Sequence, residues 1–161
     1  EIANEFIQEP VQPLFTLGAI ISAKNRSLGS GGGWHRDRYQ PHQFKAMVYL
    51  DDVTINNGPF QLIVGTNKIR SLFILQMFYG LSFDKDRITS SLIKKITSRS
   101  RYKIKTFTAN KGDLILFNSF SIHRGKPLTS GSRKSITNYY IKHSDINKHG
   151  IEVYNKKYNL P

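Results

Sequence analysis

The chain has 161 residues, of which 39% are hydrophobic and 22% are charged, and this length fits one domain with a sizeable core. It contains no cysteine, which excludes disulfides, cysteine-ligated metal sites and thiol catalysis, so a bound metal must be held by histidine and carboxylate side chains. A formal net charge of +13 admits nucleic acid, anionic membranes and acidic substrates as partners.

Short strands make up most of the predicted secondary structure. In chain order, apolar and β-branched runs predict strands over residues 14–24, 44–50, 60–64, 102–107, 114–117 and 134–141. Residues 27–33 form a glycine-rich loop without the Lys-Ser or Lys-Thr pair of a phosphate-binding loop. Helical spacing occurs only over residues 71–81 and 86–98. This pattern predicts an all-β sandwich or jelly-roll barrel with a small helical insertion around residues 71–98.

The apolar runs and the N-terminal residues indicate whether the chain spans a membrane or is secreted. No apolar run reaches the roughly 18–20 residues that a membrane-spanning helix needs, and no secretory signal is visible. We therefore expect a cytoplasmic protein without a membrane span. From its length we expect a single domain over residues 1–161. Because residue 1 is Glu rather than Met, we allow for truncation at its N-terminus.

A candidate metal site begins with His35 and Asp37. Residues two apart in a strand leave the same face, so both side chains can bind one ion, although such a pair alone is more often a chance surface pair. His123 supplies a third ligand if the jelly roll brings its late strand beside the early one. These three residues would form the catalytic facial triad of a non-heme Fe(II) oxygenase, while the same set also holds catalytic zinc.

Arg133 lies ten residues after His123, immediately before the last predicted strand. If Arg133 points into the barrel, Ser135, Thr137 and Tyr139 do so too. A buried guanidinium needs a fixed anion, and the distal carboxylate of 2-oxoglutarate would provide it. We therefore expect Arg133 and Ser135 to bind this co-substrate. The alternative is a solvated arginine in a basic segment.

Three segments resemble the phytanoyl-CoA dioxygenase family in their order and spacing. They are Gly-Trp-His-Arg-Asp at residues 33–37, Tyr-Leu-Asp-Asp-Val-Thr-Ile-Asn-Asn-Gly-Pro-Phe at 49–60 with Val-Gly-Thr-Asn-Lys at 64–68, and Gly-Asp-Leu-Ile-Leu-Phe at 112–117 leading through His123 to Arg133. The resemblance covers roughly residues 14–141. It departs at residues 64–67, where the family usually has Pro-Gly-Ser-His.

This resemblance implies a double-stranded β-helix that holds Fe(II) through His35, Asp37 and His123 and 2-oxoglutarate through Arg133, with O₂ as the second co-substrate. It further implies hydroxylation of a small organic molecule, with 2-oxoglutarate decarboxylated to succinate. Related halogenases replace the carboxylate ligand with a small residue. Asp37 therefore favours hydroxylation.

Other functions remain open on the sequence alone. A nucleic-acid demethylase of the same iron chemistry would use the basic block 84–105, whose eight Lys and Arg against two Asp give +6. That class commonly has a second arginine six residues after the first, where this chain has Tyr139, and a solvated helix face explains the block better. We therefore expect no nucleic-acid partner. A catalytically silent jelly-roll binding domain and a zinc hydrolase with the same three ligands are further alternatives, and the oligomeric state is not predicted.

Several other residues are candidates for the site or the core. Lys24, Tyr39 and Lys45 could reach a substrate oxygen if they point inward, although lysines are mostly exposed. Trp34 is expected in the core. Adjacent strand residues face opposite ways, so Asp51 and Asp52 should not share a proton. The remaining histidines have no ligand spacing and are expected at the surface; they are His42, His143 and His149.

Overall fold

Seven strands and three α-helices make up the computed structural model, which describes residues 1–37, 43–82 and 85–145. The strands are β1 (Val11–Ser22), β2 (Phe44–Tyr49), β3 (Phe60–Ile63), β4 (Ile104–Phe107), β5 (Leu114–Asn118), β6 (His123–Gly125) and β7 (Ser132–Lys142). The helices are α1 (Ile2–Ile7), α2 (Ile69–Tyr79) and α3 (Ser90–Arg99), and a 3₁₀ turn covers His143–Asp145. Tyr39, His42, Asp84 and His149 lie outside the described residues.

Two antiparallel sheets form the frame of the fold. The larger sheet has the order β1, β7, β2, β5, and the smaller has the order β4, β3, β6. The first strand pairs with the last along its length, from Val11 opposite Lys142 to Ser22 opposite Ser132. Such non-sequential neighbours are typical of a jelly roll. The predicted fold class is confirmed: a mainly β, double-stranded β-helix with few helices.

The two sheets enclose one apolar core. Its buried residues come from both sheets and from the segment after β2; they are Met47, Tyr49, Val53, Phe60, Ile115 and Phe117. Tyr49 is fully buried, and its hydroxyl accepts a hydrogen bond of 2.9 Å from the backbone N–H of Phe60. This contact joins the larger sheet to the start of β3.

Helices α2 and α3 cover the other face of the smaller sheet. A second core joins them to β3 and to the segment that precedes β6; it contains Trp34, Ile63, Leu75, Leu81, Ile88, Ile93, Ile96, Tyr102 and Ile122. The helical insertion is where the sequence predicts it, but α3 begins at Ser90 instead of residue 86. Thr89 caps this helix, its hydroxyl accepting the N–H of Leu92 at 3.3 Å. Ile88 is held before the cap, because its N–H donates to the carbonyl oxygen of Trp34 at 2.9 Å.

Two short elements were not predicted. Helix α1 packs its Phe6 ring against Phe44, with 5.1 Å between the centroids. Strand β6 follows a turn in which the side chain of Asn118 accepts the N–H of Phe120 at 2.8 Å. The strand predicted over residues 114–117 therefore ends at Asn118, and His123 begins a new strand in the other sheet.

None of the helices in the described ranges has the length and hydrophobicity needed to cross a bilayer.

Candidate metal centre

His35 and His123 are direct neighbours across a two-residue bridge. The N–H of each donates to the carbonyl oxygen of the other, both at 2.9 Å. Residues paired in this way project their side chains to the same face, and the two imidazole centroids lie 4.2 Å apart. The pairing of an early segment with β6 thus brings together two histidines that are 88 positions apart.

Asp37 completes a three-residue cluster. Its Oδ1 is 3.8 Å from Nε2 of His35 and its Oδ2 is 4.0 Å from Nε2 of His123. One ligand atom from each of the three residues lies within 4.8 Å of the other two. Neighbouring ligands of an octahedral ion with bonds near 2.1 Å are about 3 Å apart, so the cluster is close to the size of a metal site.

The imidazoles are oriented through their other nitrogens. Nδ1 of His35 lies 2.9 Å from the carbonyl oxygen of Gly33, and Nδ1 of His123 lies 2.7 Å from that of Ser121. Because a carbonyl oxygen can only accept a hydrogen bond, each Nδ1 carries the proton and each Nε2 is a free lone pair directed at Asp37. Metal-binding histidines are usually oriented by such contacts.

The protonation states also suit a cation. Burial, together with the neighbouring His35, lowers the pKa of His123 to about 3. Burial likewise lowers the pKa of His35. For Asp37, burial acts to raise the pKa, but the charge of Lys45 and the contacts with both histidines outweigh it and the pKa is lowered. At neutral pH the cluster therefore offers two neutral imidazoles and a carboxylate, the forms that bind metal.

Lys45 contacts this cluster directly, from the neighbouring strand β2. Its ammonium group donates to Oδ2 of Asp37, and the residue is 6% exposed. Its Nζ also lies 4.3 Å from the ring centroid of Tyr139. The sequence predicted for Lys45 only that it is one of three residues that could reach a substrate oxygen. Of the other two, Lys24 is exposed and Tyr39 falls in a range that is not described.

A cavity of about 450 Å³ lies between the sheets at this cluster. Its walls include both histidines, Lys45, the apolar side chains Met47, Phe60 and Phe117, and four alternate residues of β7, namely Arg133, Ser135, Thr137 and Tyr139. The inward face expected for the last strand is thus the face that lines the cavity. Its volume is in the usual range for a site that binds a small molecule.

Arg133 is the second cation of this cavity and is only 3% exposed. One terminal nitrogen donates to the carbonyl oxygen of Gly58 and the other to the Ser30 hydroxyl, the latter at 2.8 Å. Its Nε is buried without a hydrogen-bond partner. No carboxylate of the described residues contacts the guanidinium. Burial without a counter-ion is costly and lowers the pKa of Arg133, so the site fits an anionic ligand.

The glycine-rich loop packs against both parts of the site. A Cβ atom on Gly31, whose φ is +78°, would lie 2.3 Å from Cε1 of His35. A Cβ on Gly125 would lie 2.1 Å from the hydroxyl oxygen of Ser30 and 2.9 Å from a terminal nitrogen of Arg133. Glycine is therefore required for this close approach. The sequence predicted the loop but not its place over the site; four glycines within residues 29–33, just before His35, were the available signal.

The other sequence candidates lie away from this cavity. Trp34 is buried in the helix-side core. Asp51 pairs with Lys134 at 3.6 Å, whereas Asp52 accepts the N–H of Lys111, so the two carboxylates do not meet. His143 is exposed beside Gln12. In the described part of the basic block all the Lys and Arg side chains are exposed, and the single aromatic, Tyr102, is buried.

Several solved structures share this fold at low sequence identity. AviO1 from Streptomyces viridochromogenes Tue57 aligns with 89% of this chain and 56% of its own (17% identity, TM-score 0.60). EctD from S. alaskensis with 2-oxoglutarate and 5-hydroxyectoine aligns with 89% of this chain and 48% of its own, at 17% identity and a TM-score of 0.62. The epimerase SnoN in complex with Fe3+, alpha ketoglutarate and nogalamycin RO aligns with 88% of this chain and 54% of its own, at 16% identity and a TM-score of 0.60. The chain thus spans about half the length of these structures.

Sequence comparison places the chain in a family. A search of curated proteins found no match. The sequence profile described as phytanoyl-CoA dioxygenase (PhyH) matches residues 1–135, which include the cluster of His35, Asp37 and His123 and extend through Arg133 and Ser135. The chain belongs to the phytanoyl-CoA dioxygenase family.

Proposed function

We propose that the chain is the core of an Fe(II)- and 2-oxoglutarate-dependent dioxygenase that hydroxylates a small organic molecule. One observation carries the proposal: a single cavity is lined by both histidines of a His-Asp-His cluster and by a buried guanidinium that has no anionic partner among the described residues. The cluster would bind a metal ion, and the guanidinium would bind a carboxylate group of a ligand. Solved structures of the same fold whose titles name an iron ion with alpha ketoglutarate, or 2-oxoglutarate, support the same pair of ligands.

His35, Asp37 and His123 would hold the iron. A facial set of three ligands leaves three of six positions for co-substrate and O₂. When bound, the iron supplies the activation of O₂ that is coupled to oxidative decarboxylation of 2-oxoglutarate; the balanced reaction turns O₂, 2-oxoglutarate and a substrate C–H bond into succinate, CO₂ and an alcohol. The hydrogen bonds to Gly33 and Ser121 keep the imidazoles in place throughout.

Arg133 would bind the distal carboxylate of 2-oxoglutarate. Its guanidinium is already fixed by Gly58 and Ser30, and its unpartnered Nε can donate to a carboxylate oxygen. Ser135 lines the same wall of the cavity two residues along β7 and would add a hydroxyl contact. A preformed fork of this kind binds an anion at a low cost in side-chain entropy.

Apolar side chains would keep water from the reacting atoms. Met47, Phe60 and Phe117 are buried and face the cavity, and the rings of Phe60 and Phe117 each lie 5.7 Å from the imidazole of His123. The carboxylate of Asp37 favours hydroxylation over halogenation, because related halogenases have a small residue in its place. A zinc hydrolase is less consistent with the site, because no described residue lining the cavity is a carboxylate that could act as general base, and Arg133 would have no role.

Succinate formation in the absence of substrate tests the proposal. The protein is incubated with Fe(II), 2-oxoglutarate and air, and succinate is measured by mass spectrometry. We expect slow uncoupled turnover that falls about 100-fold or more in Asp37→Asn. Asp51→Asn, at an exposed carboxylate outside the cavity, is the matched control and should not change it. No succinate from iron-loaded wild type would instead favour a silent binding domain.

Three further expectations stay predictions: a single domain over residues 1–161, a cytoplasmic location, and a small-molecule substrate with no nucleic-acid partner.

A further inference from the structure

Lys45 is a buried cation whose one carboxylate contact in the described ranges is Asp37. Its Nζ lies among the atoms that would bind iron and above the ring of Tyr139. Strands β2 and β7 place Lys45 directly opposite Tyr139, so its side chain enters the cavity from the same wall as Arg133 and Ser135. The ammonium group therefore belongs to the site.

Lys45 and a metal ion need the same partner. A divalent ion bound by Asp37 would compete for Oδ2, the atom that accepts a hydrogen bond from Lys45 in this structure. It would also place its charge of +2 beside the ammonium charge of Lys45. Like charges a few ångströms apart in a buried site repel strongly. Metal binding must therefore leave the ammonium group in need of another anion, since an unpaired buried charge is costly.

2-Oxoglutarate has two carboxylates, and Arg133 would bind the distal one. The other must lie at the metal end of the cavity, where the keto acid chelates. Among the described residues that line the cavity, Lys45 is the cation at this end, above the ring of Tyr139.

We propose that Lys45 changes partners when the site loads: it neutralises Asp37 in the metal-free protein and binds the metal-end carboxylate of 2-oxoglutarate once a metal occupies Asp37. This inference rests on the proposed function. Its consequence is that Lys45 opposes metal binding alone and favours metal and 2-oxoglutarate binding together, so it strengthens the thermodynamic coupling between the two ligands.

The coupling can be measured without turnover. Co(II) is titrated anaerobically into the protein with and without saturating 2-oxoglutarate, and the ratio of the two Co(II) affinities is compared between variants. We expect Lys45→Met to bind Co(II) alone about tenfold more tightly than wild type and to lower the ratio by about tenfold or more. Lys45→Arg keeps the charge and should keep most of the coupling. Lys134→Met removes an exposed lysine of β7 and should change nothing.

Failure of the proposed function and failure of the role of Lys45 give different results in these titrations. A wild-type protein that binds neither Co(II) nor 2-oxoglutarate would overturn both. A wild-type protein that binds both ligands, with the same affinity ratio in Lys45→Met, would overturn only the role of Lys45. Circular dichroism confirms that the compared variants are folded, and Lys45→Gln serves as the second uncharged variant, with the same expected loss of coupling, if the methionine variant unfolds.

Discussion

The hydroxyl group of Ser30 accepts a hydrogen bond of 2.8 Å from the guanidinium of Arg133, a residue 103 positions later in the chain. This contact ties the glycine-rich loop to the last strand. Because Ser30 precedes Gly31, which packs on the imidazole of His35, the loop joins the proposed 2-oxoglutarate site to the proposed metal site. The loop is therefore part of the site's framework as well as a connection between strands.

Removing the Ser30 hydroxyl should affect the co-substrate and spare the metal. In Ser30→Ala a terminal nitrogen of Arg133 loses its partner, and a hydrogen bond to a charged group contributes about 1.5–3 kcal/mol. We expect 2-oxoglutarate to bind roughly tenfold more weakly, as measured by calorimetry with Mn(II) present. The Mn(II) affinity without 2-oxoglutarate should equal that of wild type. Ser98→Ala, on the exposed face of α3, is the control; equal 2-oxoglutarate affinities in the two variants would contradict the prediction.

Gly31 should be intolerant of any side chain. Gly31→Ala places a Cβ 2.3 Å from the ring of His35, so the imidazole must move. We expect Mn(II) affinity to fall by about tenfold or more. Gly65→Ala is a matched control, because Gly65 has a similar φ of +81° but open space around its Cβ position. Both variants carry the strain of a left-handed alanine, about 1–2 kcal/mol, so equal metal affinities in the two would show that contact with His35 is unimportant.

Thr66 should stabilise the segment that carries His123. Its hydroxyl accepts the N–H of Ile122 at 2.9 Å and donates to the carbonyl oxygen of Ile63 at 2.7 Å. Thr66→Val leaves a buried N–H without a partner, at about 1–3 kcal/mol. For a chain of this size the expected loss is about 2–4 °C in the thermal unfolding midpoint per kcal/mol. Thr108→Val, at an exposed position, should leave the midpoint within about 1 °C of wild type, and a similar loss in both variants would contradict this role.

The parts of the site that follow from strand periodicity were predictable. Arg133 and Ser135 line the cavity because they are two residues apart in β7. The same spacing pointed to His35 and Asp37, which do cluster, although of the two only His35 forms a β-bridge and none of the described residues between β1 and β2 belongs to a strand. The helical spacing of residues 86–98, where α3 forms, is an equally local signal. These patterns, with the family motifs, were enough for the fold class.

The missed features depend on contacts between distant parts of the chain. The pair of Lys45 and Asp37 joins β2 to an irregular segment, and lysine is usually exposed, so composition argued against it. Strand β6 has three residues, too few for a periodic signal, and it forms because His123 pairs with both His35 and Leu62. The place of Gly31 over the imidazole could not be predicted from loop composition, which does not say what the loop covers.

The central claim is that His123 and Arg133 hold two parts of one iron and 2-oxoglutarate complex. Anaerobic addition of Fe(II) and 2-oxoglutarate to the protein, followed by visible absorption, tests it most directly, because the chelated complex has a weak charge-transfer band. We predict a band in wild type and in Arg99→Ala, an exposed arginine of α3, and its loss in His123→Ala and Arg133→Ala. No band in iron-replete wild type, or a band of full intensity and unchanged 2-oxoglutarate dependence in Arg133→Ala, would contradict the claim.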